Sequence, residues 1–383
     1  MSQTSTRLIK ATLAAIHYSG VGRALAPAAR GAGALLMLHH VRPQSADGFA
    51  PNRILEITPE FLETTIIEVR KAGFDIVSMD EAHARMTGTV KAARPFVCFT
   101  FDDGYRDNRD HALPIMRKHN APFTVYVASE FADGEGFLWW IVLERVVAKR
   151  QFLSVQIAGV TEAFRCTNDR EKTAAFDRIY WRLRALPENE TRAIVAQLAD
   201  ESGIDGLAPC RELAMTWAEL REFERDPLVT IGAHTMSHYA LAKLGAHEAH
   251  AEITGSIARV ESELGKPCQH FCYPYGDAGS AGEREFETTA RLGLKTAVTT
   301  RKGFLNESHA ARMTALPRVS LNGDYQRVPY LKALLSGVPF ALLGALARPT
   351  AAQPAYSPAG VSGFCIQRTS HAAGTTQASP PTI

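Results

Sequence analysis

The chain has 383 residues, enough for one large domain with additions or for two ordinary ones, and 46% are hydrophobic, a normal share for a globular core. A formal charge of +2 leaves no basic surplus for holding nucleic acid or an acidic polymer. Six cysteines (Cys98, Cys166, Cys210, Cys268, Cys272, Cys365) lie scattered without a disulfide framework; Cys268 and Cys272 lack zinc-finger spacing and read as buried thiols, which suits a reducing compartment.

From the N-terminus, residues 6–18 place Ile9, Leu13 and Ile16 on one helical stripe, with Arg7 and Lys10 off it and Gly20 as a stop signal. This predicts an amphipathic helix within residues 1–30, packed on its own domain rather than on a bilayer. No signal-peptide h-region is seen, so the expected location is cytoplasmic and secretion is not expected. Residues 34–38 form an apolar strand ending at His39, 61–71 a helix, and 74–78 a strand. Residues 96–101 form a β-branched and aromatic strand that stops abruptly in Asp102-Asp103-Gly104. A helix over 112–119 and an apolar strand over 123–127 follow.

The stretch 139–225 breaks this rhythm. It is charged and largely helical: Phe176, Ile179 and Leu183 share a face, and Pro187 opens a second helix through Ile194 and Leu198. It is read as a helical insertion on the rim of the fold. Beyond it, a strand over 229–233 leads straight into His234. The helix 248–264 carries Ile253, Ile257, Val260 and Leu264 at core spacing, with Gly265 as its cap. Strands near Phe271, over 296–299 and over 317–320 complete the series. Repeated βα units predict an α/β fold with a parallel sheet or barrel, spanning residues 31–346. Residues 347–383 turn to Ala, Pro, Ser, Thr and Gly and predict a disordered tail. No run reaches the roughly 20 apolar residues of a membrane span. Residues 331–346 come nearest, interrupted by Gly337, Pro339 and Gly344, and are where a peripheral membrane contact would be made. The sequence specifies no oligomeric state.

Two segments carry chemistry. Paired carboxylates at the end of a buried strand are costly unless a metal ion or a shared proton offsets the cost; a helix-capping Asp is the plain alternative. In Gly232-Ala233-His234-Thr235-Met236-Ser237-His238, two imidazoles at i and i+4 would lie on one face of a helical turn and could bind one metal ion. A solvated histidine pair explains that spacing equally well taken alone. Both segments follow strands, so the working face of an α/β sheet brings them together. One carboxylate with two histidines makes a three-ligand site with room for water on zinc or another divalent metal.

Here the chain resembles the NodB-type polysaccharide deacetylases, carbohydrate esterase family four. Thr100-Phe101-Asp102-Asp103-Gly104 matches their TFDDG motif letter for letter, and His234 to His238 matches H-[ST]-x-x-H. The resemblance runs from about Gly33 to about Asn322. It implies a distorted (β/α) barrel with a divalent metal, generally zinc, held by Asp103, His234 and His238, with Asp102 as general base. The third motif, usually Arg-x-Pro-Tyr, is Cys272-Tyr273-Pro274-Tyr275 here, so cysteine stands in the arginine's place. The backbone N–H of Tyr275 is the expected oxyanion donor. Arg318, at another strand end, could supply the missing guanidinium; a surface arginine beside a strand is the alternative. The terminal leucine-x-histidine motif is also absent after Arg318. Leu36-Met37-Leu38-His39-His40 occurs instead near the N-terminus. This looks like the permuted order of the exopolysaccharide deacetylases, with His39 as general acid and His40 supporting the fold.

The implied function is hydrolysis of N-acetyl groups from an N-acetylglucosamine-containing oligo- or polysaccharide, with release of acetate. A same-fold hydrolase of a non-sugar amide or imide, or an inactive sugar-binding module, are the competing readings. Trp139, Trp140, Trp217 and Tyr105 are candidate sugar contacts; the first two could equally anchor the insertion, and Tyr105 is favoured because it adjoins the metal carboxylate.

Overall fold

The apolar runs read from the sequence become strands buried on both faces, which is why they show little alternation. The computed structural model describes residues 3–44 and 48–346. Its strands are β1 (Gly33–Leu38), β2 (His40–Val41), β3 (Glu56–Ile57), β4 (Asp75–Ile76), β5 (Phe96–Phe101) and β6 (Phe123–Val127). Then come β7 (Phe152–Ile157), β8 (Val160–Arg165), β9 (Val229–Ala233), β10 (His270–Cys272), β11 (Thr296–Lys302) and β12 (Leu316–Ser320). The main sheet runs β1-β12-β11-β10-β9-β6-β5, all parallel, and closes because β1 pairs with β5 from Gly33 opposite Phe96 to Leu38 opposite Phe101. The result is a seven-stranded parallel barrel wrapped in helices, the distorted (β/α) barrel expected. β4 pairs with Phe96 and Val97, while β6 pairs with Phe99 to Phe101, so the two share one edge of β5.

Closure by β1 makes the first strand of the chain the neighbour of the last, β12. A residue at the end of β1 therefore reaches the same barrel mouth as one at the end of β5 or β9. Outside the barrel, the helix Ala246–Leu264 buries Ala249, Ile253 and Val260 and ends at Gly265, whose φ of 68° is the left-handed cap a side chain would resist.

Between β6 and β9 lies the insertion, with a core of its own around Trp139, Leu143, Phe176, Ile179 and Leu183. It holds the helices Trp139–Lys149, Asp169–Ala185, Glu188–Glu201, Ala208–Leu213 and Trp217–Phe223. It is not helical throughout. β7 and β8 form an antiparallel hairpin in which Leu153, Val155 and Ile157 are buried alternately. Ala158 and Gly159, both at positive φ, make its two-residue turn. The period-two pattern ahead of Gly159 is the signal that a helical reading passes over.

At the N-terminus the helix Gln3–Tyr18 buries Leu13 and Ile16 in the main core, and a second helix, Val21–Ala29, follows. No single helix among the described residues is long and apolar enough to cross a membrane; Val328–Leu335 and Val338–Ala345 reach that length only as a pair bent by 56°. The tail read over 347–383 lies outside the described residues. The five described cysteines are buried free thiols.

Candidate metal centre and active site

The carboxyl ends of β1, β5, β9 and β10, with Arg318 from β12, bring His39, Asp102, Asp103, His234, His238 and Tyr275 to one mouth of the barrel. Asp103 follows β5, and its Oδ1 lies 3.4 Å from His234 Nε2 and 3.2 Å from His238 Nε2. All three side chains are buried, and one ligand atom from each falls within 4.8 Å of the others. Asp103 Oδ1 has no hydrogen-bond partner, an orphaned buried acceptor of the kind a cation satisfies. His234 Nδ1 lies 2.7 Å from the carbonyl oxygen of Cys272. A carbonyl can only accept, so Nδ1 carries the proton and Nε2 keeps its lone pair for a ligand. Burial works to raise the Asp103 carboxyl, but the facing His238 and His234 pull it well below the usual range. The donor set fits a divalent ion such as zinc.

The backbone at the site is unusual. Six described non-glycine residues have positive φ, and four are here: Asp103 (74°), Thr235 (64°), His238 (59°) and Tyr275 (59°). Such conformations cost about 1–3 kcal/mol each and persist where surroundings over-determine them. The expected helical turn over His234 to His238 does not form. The segment instead prolongs β9 alongside β6, with His234 N donating to Val127 O and Ser129 N donating to Thr235 O. It then turns through the left-handed Thr235, whose Oγ1 accepts from His238 N. Glu252, on the packed face of Ala246–Leu264, accepts from Met236 N and Ser237 N at 3.0 and 2.9 Å. Sequence reading missed Glu252; a glutamate among Ala249, Ile253 and Ser256 on a buried stripe was its signal.

Asp102, a neighbour of His234, is held by a second cluster. Arg318 Nη1 and Nη2 each donate to one Asp102 oxygen at 2.7 Å, Nε donates to Thr299 O, and Nη2 lies 3.2 Å from Cys272 Sγ. Arg318 is thus a fully buried side chain, not a surface arginine. Burial acts to raise the Asp102 carboxyl, and the Arg318 charge and hydrogen bonds outweigh it and hold the group ionised. Asp102, His234 and Cys272 also cluster closely enough to suggest a metal. However, Arg318 already occupies both Asp102 oxygens, and burial raises the Cys272 thiol, so this second set is a poor ligand group.

His39 follows β1 with its Nε2 3.9 Å from Asp102 Oδ2 and its side chain 19% exposed, open toward the mouth. Burial lowers its pKa, while Asp102 and Asp103 counter that. Asn108 Nδ2 donates to His39 O at 2.7 Å, and Asp107 bonds His40 Nδ1 at 2.6 Å and Val41 N at 3.1 Å. The residues just beyond the paired acids therefore fix the strand end that carries His39, and His40 serves the fold as read. Gly104 completes the turn at φ 67° with Val127 3.1 Å from where a Cβ would sit.

Tyr275 is held from several sides. Its hydroxyl accepts from Trp139 Nε1 at 2.9 Å, its carbonyl accepts from Thr300 Oγ1, and the Arg184 guanidinium lies 3.7 Å from its ring centre. Gly276 beside it packs so closely that a Cβ would fall 2.5 Å from Thr300 N. A cleft of about 780 Å³ opens over His39, Asp102, Asp103, His234, His238 and Tyr275. The expected sugar contact at Tyr105 is not available: the residue is fully buried and stacks on His40 at 3.6 Å. Trp139, Trp140 and Trp217 are buried too, and the first two anchor the insertion.

The family description "Polysaccharide deacetylase" matches residues 89–161 and 164–297, a span that includes β5, β9 and β10 but not the β1 end with His39 or Arg318. Among solved structures, the deacetylase PplD of Streptococcus pyogenes is 16% identical with a TM-score of 0.50, over 76% of this chain and 93% of that one. IcaB of Ammonifex degensii is 18% identical with a TM-score of 0.48, over 79% and 96%. At these identities the likeness is one of fold. No curated protein sequence matches the chain.

Proposed function

The chain belongs to the polysaccharide deacetylase family, and from that premise we propose that it removes N-acetyl groups from an N-acetylglucosamine-containing glycan, using a divalent cation and releasing acetate. The observation that carries this reading is the convergence of an orphaned Asp103 oxygen with two imidazole Nε2 atoms beside an ionised Asp102 at the floor of one cleft.

Asp103, His234 and His238 would hold the ion. When bound, zinc supplies Lewis acidity, polarising an acyl oxygen and making water nucleophilic near neutral pH. The rest falls to the chain. Asp102 accepts one hydrogen bond from Arg318 on each oxygen, which leaves lone pairs to take the proton of an attacking water. The backbone N–H of Tyr275, set by its left-handed φ, is the donor for negative charge growing on the carbonyl oxygen. His39, partly open to the cleft, gives a proton to the departing nitrogen, which leaves poorly without one. Division of labour between adjacent carboxylates follows from their partners: Asp103 faces imidazoles and Asp102 faces a guanidinium.

Acetate release from N-acetylglucosamine oligomers tests the proposal, measured as purified, after chelation and after zinc add-back. Loss on chelation with recovery on add-back is expected. Release from simple amides or imides but from no acylated sugar would transfer the assignment to a non-sugar substrate, and a zinc-loaded protein without any acetate release would leave only a binding role.

A further inference from the structure

One wall of the cleft, beside the turn Pro51–Leu55, is a face of the insertion helix Asp169–Ala185. Thr173, Phe176, Asp177, Tyr180, Trp181 and Arg184 line it, spaced at i, i+3, i+4, i+7, i+8 and i+11, a single helical stripe. Ala175, Ile179 and Leu183, together with Phe176 at the edge of the stripe, are buried in the insertion core and back the wall. Trp181 is 58% exposed, whereas Trp139, Trp140 and Trp217 are exposed by 1%, 5% and 6%. Trp181 is thus the tryptophan whose indole stands open, and it stands on the cleft wall, a flat apolar platform of the kind a sugar face stacks on.

The stripe is also joined to the reaction centre. Tyr180 stacks on Trp139 at 5.0 Å, and Trp139 donates to the hydroxyl of Tyr275. Arg184, at the inner end, covers the Tyr275 ring. At the outer end Phe176 packs on Phe49, and Trp181 meets Tyr180 edge-on at 5.3 Å between them. From Arg184 to Thr173 the helix rises about 16 Å, longer than one sugar ring needs.

We propose that this face of the insertion helix is a glycan-stacking wall, with Trp181 as its platform, that binds sugars adjacent to the one being deacetylated and so selects an oligomer over a monosaccharide. It rests on the deacetylase reading above and names the substrate class of that same site. Apolar sugar faces lie on the Trp181 indole, while Asp177 and Arg184 of the same stripe offer partners to hydroxyl groups.

The test compares N-acetylglucosamine with its β-1,4- and β-1,6-linked tetramers on wild type, Trp181→Ala and Trp181→Phe. The wild type is expected to prefer a tetramer, and Trp181→Ala to lose about tenfold in kcat/KM on it through KM, the worth of one aromatic stacking contact. Its slow monosaccharide rate and its melting temperature stay unchanged, and Trp181→Phe keeps most of the preference. Because the other tryptophans are buried, the emission of wild type but not of Trp181→Phe should shift to shorter wavelength on adding tetramer. An undiminished tetramer preference in Trp181→Ala, or no emission shift with either tetramer, overturns the wall. Absence of acetate release from every sugar, with the shift intact, overturns the deacetylase reading and leaves the wall standing.

Discussion

Arg318 and Asp102 form a two-point ion pair out of contact with solvent, and the guanidinium that makes it ends beside Cys272 on a different strand. The head of a side chain rooted in β12 thus fills the volume that an arginine rooted at position 272 would need. A cysteine at 272 is small enough to permit this. Its carbonyl meanwhile orients His234, so one segment serves the cation cluster and the Asp102 cluster together.

Removing half of a buried pair strands the other charge. Arg318→Ala should therefore cost about 3–5 kcal/mol of stability, read from denaturant unfolding. Arg318→Lys keeps a charge but loses the fork geometry, and turnover should fall about 10–100-fold with zinc retained. The pH profile should also move. Asp102 must be ionised to accept a proton, and Arg318 holds its pKa down against burial. With the pair weakened, burial prevails, the pKa rises, and the acid limb of kcat/KM shifts to higher pH. An unshifted acid limb in a folded Arg318→Lys variant would remove Asp102 from the base role.

The two adjacent carboxylates should separate cleanly in metal content. Asp103→Ala removes the oxygen shared by both imidazoles and should reduce bound zinc to a small fraction of one equivalent. Asp102→Asn remains isosteric, keeps the cation cluster intact, and should bind zinc with turnover lowered by at least about a hundredfold. Elemental analysis alongside acetate release checks both. Equal zinc loss in the two variants would contradict the division.

His39→Ala should retain zinc and lose most turnover, since its ring approaches Asp102 and is not among the three ligands of the cation cluster. Near wild-type kcat in this variant would take His39 out of proton transfer.

What could be read from sequence was whatever the strand ends carry. An apolar run stopping in Asp102-Asp103, another stopping in His234, and a third stopping in His39 need only the rule that parallel strands share a working face. The barrel follows from the same alternation. Burial and loop shape needed the fold. Tyr105 looks like a cleft residue because it adjoins Asp103, yet its ring turns inward onto His40. Trp181 looks like an ordinary surface residue of a charged helix, yet that helix borders the cleft. His234 and His238 at i and i+4 suggest a helix, but the chain continues β9 to His234 and reverses through left-handed Thr235, and a glutamate from a distant helix holds Met236 and Ser237 beyond it. Long-range partners of that kind leave no local pattern.

Glu252 is consequently the residue whose removal should loosen the metal site without touching a ligand. Two strained residues, Thr235 and His238, bracket the segment whose N–H groups it accepts. Without those acceptors, Met236 N and Ser237 N lose their partners and the strain favours relaxation. Ser237 Oγ also lies 2.8 Å from both Glu252 Oε1 and Glu130 Oε1, and its single proton is donated to one of them at a time. Glu252→Ala should weaken zinc affinity about 10–100-fold, the usual effect of losing a group that orients ligands, and lower the melting temperature. Glu252→Gln keeps a carbonyl oxygen for the backbone donors and an amide for Ser237, and should stay within a few-fold of wild type. Competition with a chromogenic chelator measures both; equal zinc affinity in Glu252→Ala and wild type would show that the loop holds its shape unaided.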